Sequence, residues 1–269
     1  MAFFRCTYKA TSLTWSGSKE IVNFNVILPE DCKEDVPWVL LLHGLSGTED
    51  DWMRFTSVER YAQDKGFGIV MPAVTNSWYS DEVYGMKYYT FVTTELVDYV
   101  RSVFPLSKKR EKTFVAGLSM GGYGALKAGL NNPSTFAAIA SLSGVVDIYH
   151  RFCTSDADKW GKGWEWNATC AWGRDYEKVL RDCKGNKNNI YSLIRDFDYE
   201  AGNTPWIFTC CGTADRHYQT NVDFHNALLE KPIVHEWHEK LDGKHTWDVW
   251  DYYFPAVLDF FSRRMQENS

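Results

Sequence analysis

Two kinds of hydrophobic pattern mark the strands that the sequence predicts. Residues 21–28, Ile-Val-Asn-Phe-Asn-Val-Ile-Leu, alternate between apolar and polar positions, which is typical of a half-buried antiparallel strand. With the polar turn at Gly17, residues 1–30 predict an N-terminal antiparallel hairpin. Later runs are continuously apolar, as in a parallel strand buried on both faces. These runs cover residues 37–42, 68–72, 113–116, 136–142 and 205–211, and a last alternating segment covers 234–241.

Helical spacing separates these strands. The predicted helices cover residues 50–65 with a stop at Gly66, 90–104, 125–130, and 246–265 with a kink at Pro255. Strands that alternate with helices predict an α/β fold, with a mostly parallel sheet and helices on both faces. We expect a single domain over residues 1–269.

Residues 148–200 interrupt this order, because they contain no clear buried strand. The segment is rich in tryptophan, at Trp160, Trp164, Trp166 and Trp172. It predicts a small cap of mixed helix and loop above the strand ends, where function concentrates. The alternative is that residues 148–200 form a surface segment that does not contact the substrate.

The stretch from Thr113 to Gly124, TFVAGLSMGGYG, places Gly-x-Ser-x-Gly between a strand and a helix. This arrangement is that of a nucleophile elbow, in which Ser119 points out of a sharp turn. Gly117 and Gly121 are needed because a side chain at either position would collide with crossing backbone. The helix N-terminus beyond the serine favours developing negative charge. A glycine-rich turn with an incidental serine is the competing interpretation.

The composition of the chain excludes several kinds of partner and location. The net charge is −6 and no basic run stands out, which argues against nucleic acid or an anionic membrane as the partner. Seven cysteines without regular spacing indicate reduced thiols in a reducing compartment. The N-terminus does not resemble a signal peptide, and no apolar run approaches the ~20 residues of a membrane span. We therefore expect a cytoplasmic protein.

Several chemistry-bearing residues follow directly after predicted strands: His43, Ser119, Ser143, Asp215 and His245. Parallel strands end at one edge of a sheet, so these side chains should share that edge. A serine nucleophile needs a base and a group that orients the base. His245 is the expected base because it follows the last strand in a loop. Asp215 is the expected acid, with Asp147 as the alternative.

A tetrahedral oxyanion requires two preorganised donors. The residue after the nucleophile supplies one N–H group, which is that of Met120, and the loop after the first buried strand supplies the other. His43-Gly44-Leu45 fits this loop, and the N–H of Leu45 is the expected donor.

The segments LLHGLSGTEDDW, AGLSMGGYGALKAGL, CGTAD and GKHTWDVW together resemble the Putative esterase (esterase D-like) family of α/β-hydrolases. Within that family the sequence is most similar to bacterial tributyrin esterases, over roughly residues 5–264. The resemblance implies an α/β-hydrolase fold and hydrolysis of short acyl esters, with no metal or organic cofactor. It also places the nucleophile, acid and base on Ser119, Asp215 and His245.

The resemblance leaves the substrate open. S-formylglutathione hydrolases of this family tend to carry histidine before the serine, where this chain has Leu118. A short-chain carboxylesterase is therefore favoured, with acetylated sugars or phenolic esters among its candidate substrates. A thioesterase or acyltransferase on the same triad is the alternative, and self-association into a homo-oligomer is left open. Expected substrate-binding residues near the mouth are His43, Gly44, Trp52, Trp78, Tyr79 and Trp247.

Overall fold

A computed structural model describes residues 1–15, 17–154 and 163–267 of the chain. Its strands are β1 (Ala2–Trp15), β2 (Ser18–Leu28), β3 (Trp38–Leu42), β4 (Gly68–Pro72), β5 (Thr113–Leu118), β6 (Ala138–Leu142), β7 (Trp206–Gly212) and β8 (His235–Lys240). They form one sheet in the order β1-β2-β4-β3-β5-β6-β7-β8. Each predicted strand is therefore present.

Strand direction divides the sheet into two parts. β1 pairs antiparallel with β2, and β2 pairs antiparallel with β4. The strands from β4 through β3 to β8 are mutually parallel. This confirms the N-terminal hairpin and the mostly parallel sheet. β8 lies at the edge of the sheet, and all but one of its residues are half-buried.

The helices are α1 (Asp51–Phe55), α2 (Val58–Lys65), α3 (Tyr88–Thr90), α4 (Leu96–Val103), α5 (Met120–Asn131), α6 (Ile148–Cys153), α7 (Gly163–Trp172), α8 (Tyr176–Leu180), α9 (Ile190–Asp196), α10 (Tyr218–Leu229) and α11 (Trp247–Gln266). A π-helical segment, Phe91–Glu95, joins α3 to α4, and 3₁₀ turns cover Arg110–Lys112 and Tyr199–Ala201. The helices that the structure describes all lack the combination of length and apolar character that a membrane-spanning segment needs.

The helix predicted over residues 50–65 is divided into α1 and α2. Thr56 has extended backbone dihedrals, and the N–H of Ser57 donates to Asp251 Oδ1 at 2.9 Å rather than to a preceding carbonyl of a continuous helix. Gly66 ends α2 with a left-handed φ of 72°, as the sequence predicts. The end of α1 therefore lies at the surface, beside the N-terminal part of α11.

Two hydrophobic cores cover the two faces of the sheet. Along β3, the side chains of Trp38, Leu40 and Leu42 belong to one core, and those of Val39 and Leu41 belong to the other. The first core includes side chains from α4, α5, α9 and α10, and the second includes side chains from α1, α2 and α11. Burial on both faces accounts for the continuous apolar runs of the central strands.

The described part of residues 148–200 contains helices and loops, and no strand is assigned in it. The Tyr123 hydroxyl donates to the backbone oxygen of Asn188 at 2.7 Å, which connects this segment to α5. The ring of Trp172 packs against those of Trp78 and Phe152. The mixture of helix and loop agrees with the prediction, whereas Trp160 lies outside the described residues.

Candidate active site

Ser119 occupies a strained turn between β5 and α5. Its φ of 54° and ψ of −115° lie outside the regions that residues with a side chain normally adopt. Two backbone hydrogen bonds hold this conformation. The Ser119 N–H donates to the Leu142 oxygen at 3.0 Å, and the Val145 N–H donates to the Ser119 oxygen at 3.1 Å. The turn is thus fixed by the end of β6 and the loop after it.

The two glycines of the motif are required by close backbone contact. A Cβ atom at Gly121 would lie 2.5 Å from the Leu42 oxygen and 2.6 Å from the His43 oxygen. A Cβ atom at Gly117 would collide with the backbone of Gly121. The elbow therefore packs directly against the end of β3, and the collision expected from the sequence is present at both positions.

His245 connects Ser119 to Asp215. Its Nε2 atom lies 2.9 Å from Ser119 Oγ, and its Nδ1 atom lies 2.8 Å from Asp215 Oδ2. A carboxylate accepts the Nδ1–H of the ring, which leaves the Nε2 lone pair to accept the serine proton. The three side chains come from loops after β5, β7 and β8, and their arrangement permits proton transfer from the hydroxyl to the imidazole.

The Asp215 carboxylate is enclosed, since its side chain has no exposed area. Burial alone would raise its pKa, but the hydrogen bond from His245, the charge of that ring and the His217 N–H hold the pKa below its ordinary value. The His217 N–H donates to Asp215 Oδ1 at 2.8 Å. Asp215 thus stays ionised, and its two oxygens are both engaged.

Asp147, the alternative acid, has a different role in the structure. Its side chain accepts the backbone N–H of His150 at 2.8 Å and caps the N-terminus of α6. The carboxylate that reaches His245 is that of Asp215. The position after β7 therefore supplies the partner of the histidine, and the position after β6 supplies a helix cap.

Sequence reasoning missed the side chains that surround His245. The rings of His217 and Trp250 both pack edge to face against it, with centroid distances of 5.1 Å and 5.0 Å. Burial, followed by the charge of His245, lowers the pKa of His217 to about 3, so this ring stays neutral. The side-chain Nδ2 of Asn221 donates hydrogen bonds to the His217 backbone oxygen at 2.8 Å and to the Gly144 backbone oxygen at 2.9 Å. In the sequence, the one sign of these contacts around His245 is that His217 lies two residues after Asp215.

The expected oxyanion donors lie on either side of the elbow. Met120 begins α5, and the loop of Gly44 and Leu45 follows β3. A Cβ atom at Gly44 would lie 3.6 Å from Ser119 Cβ, so this loop contacts the nucleophile turn. Within the described residues, the backbone N–H groups of Leu45 and Met120 have no hydrogen-bond acceptor. Both N–H groups can therefore still donate a hydrogen bond.

His43 supports this loop from below. Its side chain is 1% exposed, and its Nε2 atom accepts the Val74 N–H at 3.1 Å. The Nδ1 atom therefore carries the proton and donates to the Gly44 oxygen at 2.7 Å. Burial lowers the pKa of this histidine, which keeps it neutral. The Tyr79 hydroxyl donates to the His43 backbone oxygen at 2.8 Å, which fixes the same turn.

Most of the aromatic residues expected to bind substrate are buried. Trp52, Trp78 and Tyr79 are each 1% exposed. The Trp52 indole donates to the Leu42 oxygen at 3.2 Å, and the Trp78 indole donates to Asn167. These three rings and that of His43 have no free surface for a ligand, so the structure assigns them to packing and loop support. Trp247 is half-buried and retains exposed surface at the start of α11.

Within the described residues, no group of three or more His, Cys, Asp and Glu side chains is arranged to hold a metal ion. Hydrogen bonds in the site run from Ser119 to His245, from His245 to Asp215, and from the His217 N–H to Asp215. The side chains that these bonds bring together are a serine, an imidazole and a carboxylate.

Comparison with protein families gives one match over most of the chain. A family model described as "Putative esterase" matches residues 18–261. The chain is 32% identical over 234 residues to the acetyl esterase of Caldicellulosiruptor saccharolyticus, and the match covers 86% of this chain and 85% of that protein.

Two solved structures from Staphylococcus aureus are also similar. The substrate-bound fluorophosphonate-binding serine hydrolase F is 31% identical, with a TM-score of 0.82 over 97% of this chain and 98% of that one. The S-formylglutathione hydrolase FrmB, as apoenzyme, is 31% identical, with a TM-score of 0.78 over the same shares of the two chains.

Proposed function

This chain belongs to the Putative esterase family of serine carboxylic ester hydrolases with the α/β-hydrolase fold, and we propose that it hydrolyses short-chain acyl esters through a triad of Ser119, His245 and Asp215. The observation that carries the proposal is the position of His245, whose two ring nitrogens lie within hydrogen-bonding distance of Ser119 and Asp215.

The reaction begins when Ser119 Oγ attacks the ester carbonyl and His245 Nε2 takes the hydroxyl proton. The C–O bond to the leaving alcohol then breaks, the imidazolium returns the proton to the alcohol oxygen, and an acyl-enzyme forms. Water repeats the sequence on the acyl-enzyme and releases the acid. Asp215 holds the ring in the required tautomer and stabilises the imidazolium, because its lowered pKa keeps it charged.

The negative charge of each tetrahedral intermediate falls on the former carbonyl oxygen. We assign its stabilisation to the N–H groups of Leu45 and Met120, which flank the nucleophile turn. The N-terminus of α5 adds the favourable end of the helix dipole. Preorganised backbone donors of this kind contribute roughly 3–4 kcal/mol each to transition-state stabilisation.

The short acyl group in the proposal is supported by the similarity to an acetyl esterase. Acetyl esters, including acetylated sugars, are therefore the first substrates to examine, followed by phenolic esters. We also propose a cytoplasmic location, which is supported by seven cysteines that are all free in the structure. Cell fractionation would test this location.

Replacement of the nucleophile tests the proposed function. The Ser119→Ala variant should lose hydrolysis of p-nitrophenyl acetate by a factor of about 10⁶, because triad members act as a unit. It should also lose labelling by a fluorophosphonate probe while keeping its circular dichroism spectrum. Ser102→Ala, which changes an exposed serine of α4, is the matched control. Turnover retained by a folded Ser119→Ala protein would refute the proposal.

A thioesterase is the second candidate, and the similarity to an S-formylglutathione hydrolase favours it. The same triad would cleave a thioester, since attack and proton transfer are unchanged. Comparison of S-formylglutathione with p-nitrophenyl acetate, measured as kcat/KM, separates the two. A preference for the thioester by more than tenfold would assign the chain to the thioesterases.

A further inference from the structure

The alcohol part of an ester has a defined place relative to the base. In the proposed reaction His245 returns its proton to the leaving oxygen, so the leaving group must lie on the His245 side of Ser119. Side chains that continue outward from His245 are therefore the first to examine for contact with the alcohol. The first of them is Trp250, whose ring lies 5.0 Å from the imidazole, edge to face.

A row of aromatic rings runs from this point to the protein surface. The Trp250 ring meets that of Trp247 at a centroid distance of 5.1 Å, and Trp247 stacks on Phe55 at 5.0 Å with an angle of 28°. We call Phe55, Trp247 and Trp250 the aromatic ledge. Trp250 is 5% exposed, Trp247 is half-buried and Phe55 is 48% exposed. The ledge is thus enclosed near His245 and open at its outer end.

The ledge is formed by α1 and α11, the helices that follow the loops of Leu45 and His245. Phe55 ends α1, the helix that follows the loop of Leu45, and Trp247 begins α11 two residues after His245. Trp52 lies beneath Trp247 and provides the contact with the core, packing edge to face at 5.4 Å. The ring of Phe55, stacked on Trp247, therefore adds exposed aromatic surface at the outer end of the ledge rather than filling the interior.

We propose that the aromatic ledge binds the alcohol part of the ester and selects alcohols that carry an aromatic ring. This inference rests on the proposed function, because it takes the leaving oxygen to lie at His245. A flat ring in the alcohol can pack against the exposed parts of Phe55 and Trp247. A methyl or ethyl group offers no ring for such a contact.

The test uses acetate esters that differ only in the alcohol. Benzyl acetate and methyl acetate form the same acetyl-enzyme and release alcohols of similar acidity, so their ratio of kcat/KM reports on binding of the ring. We expect the wild-type protein to prefer benzyl acetate. Phe55→Ala should lower the ratio by roughly 3- to 10-fold, the range expected for one aromatic contact. Trp247→Leu should lower it by at least as much.

Phe4→Ala is the matched control, because Phe4 is 40% exposed and its ring packs on that of Phe104 at the far side of the sheet. This variant should leave the ratio unchanged. Methyl phenylacetate, which carries its ring in the acyl part, should show no selective loss in Phe55→Ala. A selective loss with that ester instead would place the ledge on the acyl side and overturn the proposal, as would an unchanged benzyl-to-methyl ratio.

The proposed function and the ledge proposal can be refuted separately. A wild-type protein that hydrolyses none of these esters would refute the proposed function, and the ledge proposal with it. Hydrolysis that depends on Ser119 but not on Phe55 or Trp247 in the benzyl ester would refute the ledge alone. Thermal unfolding of each variant shows whether a loss arises from misfolding, which Phe55→Ala should not cause because its side chain is half exposed.

Discussion

Lys127 is a buried cation on α5, the helix that begins after Ser119, and its replacement should change how stability depends on pH. The residue is 3% exposed. Its Nζ atom donates to Ser80 Oγ at 2.8 Å and lies 5.1 Å from the ring centroid of Tyr89 and 5.7 Å from that of Tyr123. Burial lowers the pKa of Lys127 to about 7, and the charge of Asp81 only partly opposes this shift.

The sign and size of the effect follow from proton linkage. In the unfolded chain a lysine has a pKa of about 10.4, so between pH 7 and pH 10 the unfolded state holds this proton and the folded state does not. The free energy of unfolding should therefore rise with pH across this window and be insensitive to Lys127 below it. At about 1.4 kcal/mol per pKa unit, the whole rise is on the order of 4 kcal/mol.

Urea unfolding at pH 7, 8, 9 and 10, followed by tryptophan fluorescence at constant ionic strength, measures this rise. Lys127→Met keeps the length of the side chain and removes its proton, so the variant should be more stable than the wild type at pH 7 and lose that advantage toward pH 10. Lys178→Met, on the exposed face of α8, controls for other groups that titrate. Parallel curves for the wild type and Lys127→Met would refute the reasoning.

Two further substitutions test how the site is held. Asp215→Asn should lower kcat for p-nitrophenyl acetate by about 10³- to 10⁴-fold, because the amide no longer fixes the His245 tautomer; an unchanged kcat in a folded variant would exclude Asp215 from the triad. Gly121→Ala should lower stability by about 1–3 kcal/mol, since its Cβ would lie 2.5 Å from the Leu42 oxygen. Thermal unfolding measures this, with Gly163→Ala, where the added atom meets nothing within 4 Å, as control.

The strand order along the chain could be predicted because parallel strands buried on both faces leave a distinct apolar pattern. The positions that follow those strands could be predicted as well, since the ends of parallel strands share an edge. Ser119, Asp215 and His245 are brought together for this reason. Each lies one to five residues beyond its strand, so the fold restricts its location before any side-chain detail matters.

The direction of the aromatic side chains could not be predicted in this way. Trp52 and Phe55 are three residues apart on α1, so the sequence places both on the same apolar face of the helix. In the structure, however, Trp52 is 1% exposed and Phe55 is 48% exposed. The helix ends at Phe55 and the chain turns away at Thr56, which leaves the last ring outside the core. Trp78 and Tyr79 were expected to line the substrate mouth, and each is 1% exposed in a loop where their φ values are 54° and 46°.

These positive φ values belong to a pattern that links strain to the site. Apart from glycine, nine described residues have a positive φ, and seven of them lie in loops at the carboxyl ends of the parallel strands: Ser46, Thr75, Trp78, Tyr79, Ser119, Ser143 and Asp242. Each such residue costs roughly 1–3 kcal/mol, and the cost persists only where surrounding structure fixes it. Two hydrogen bonds fix these loops around Ser119. The Tyr79 hydroxyl donates to the His43 oxygen, and the Ser119 N–H donates to the Leu142 oxygen. The stability of the parallel sheet therefore maintains the geometry of Ser119, and substitutions that loosen these loops should reduce catalysis before they unfold the protein.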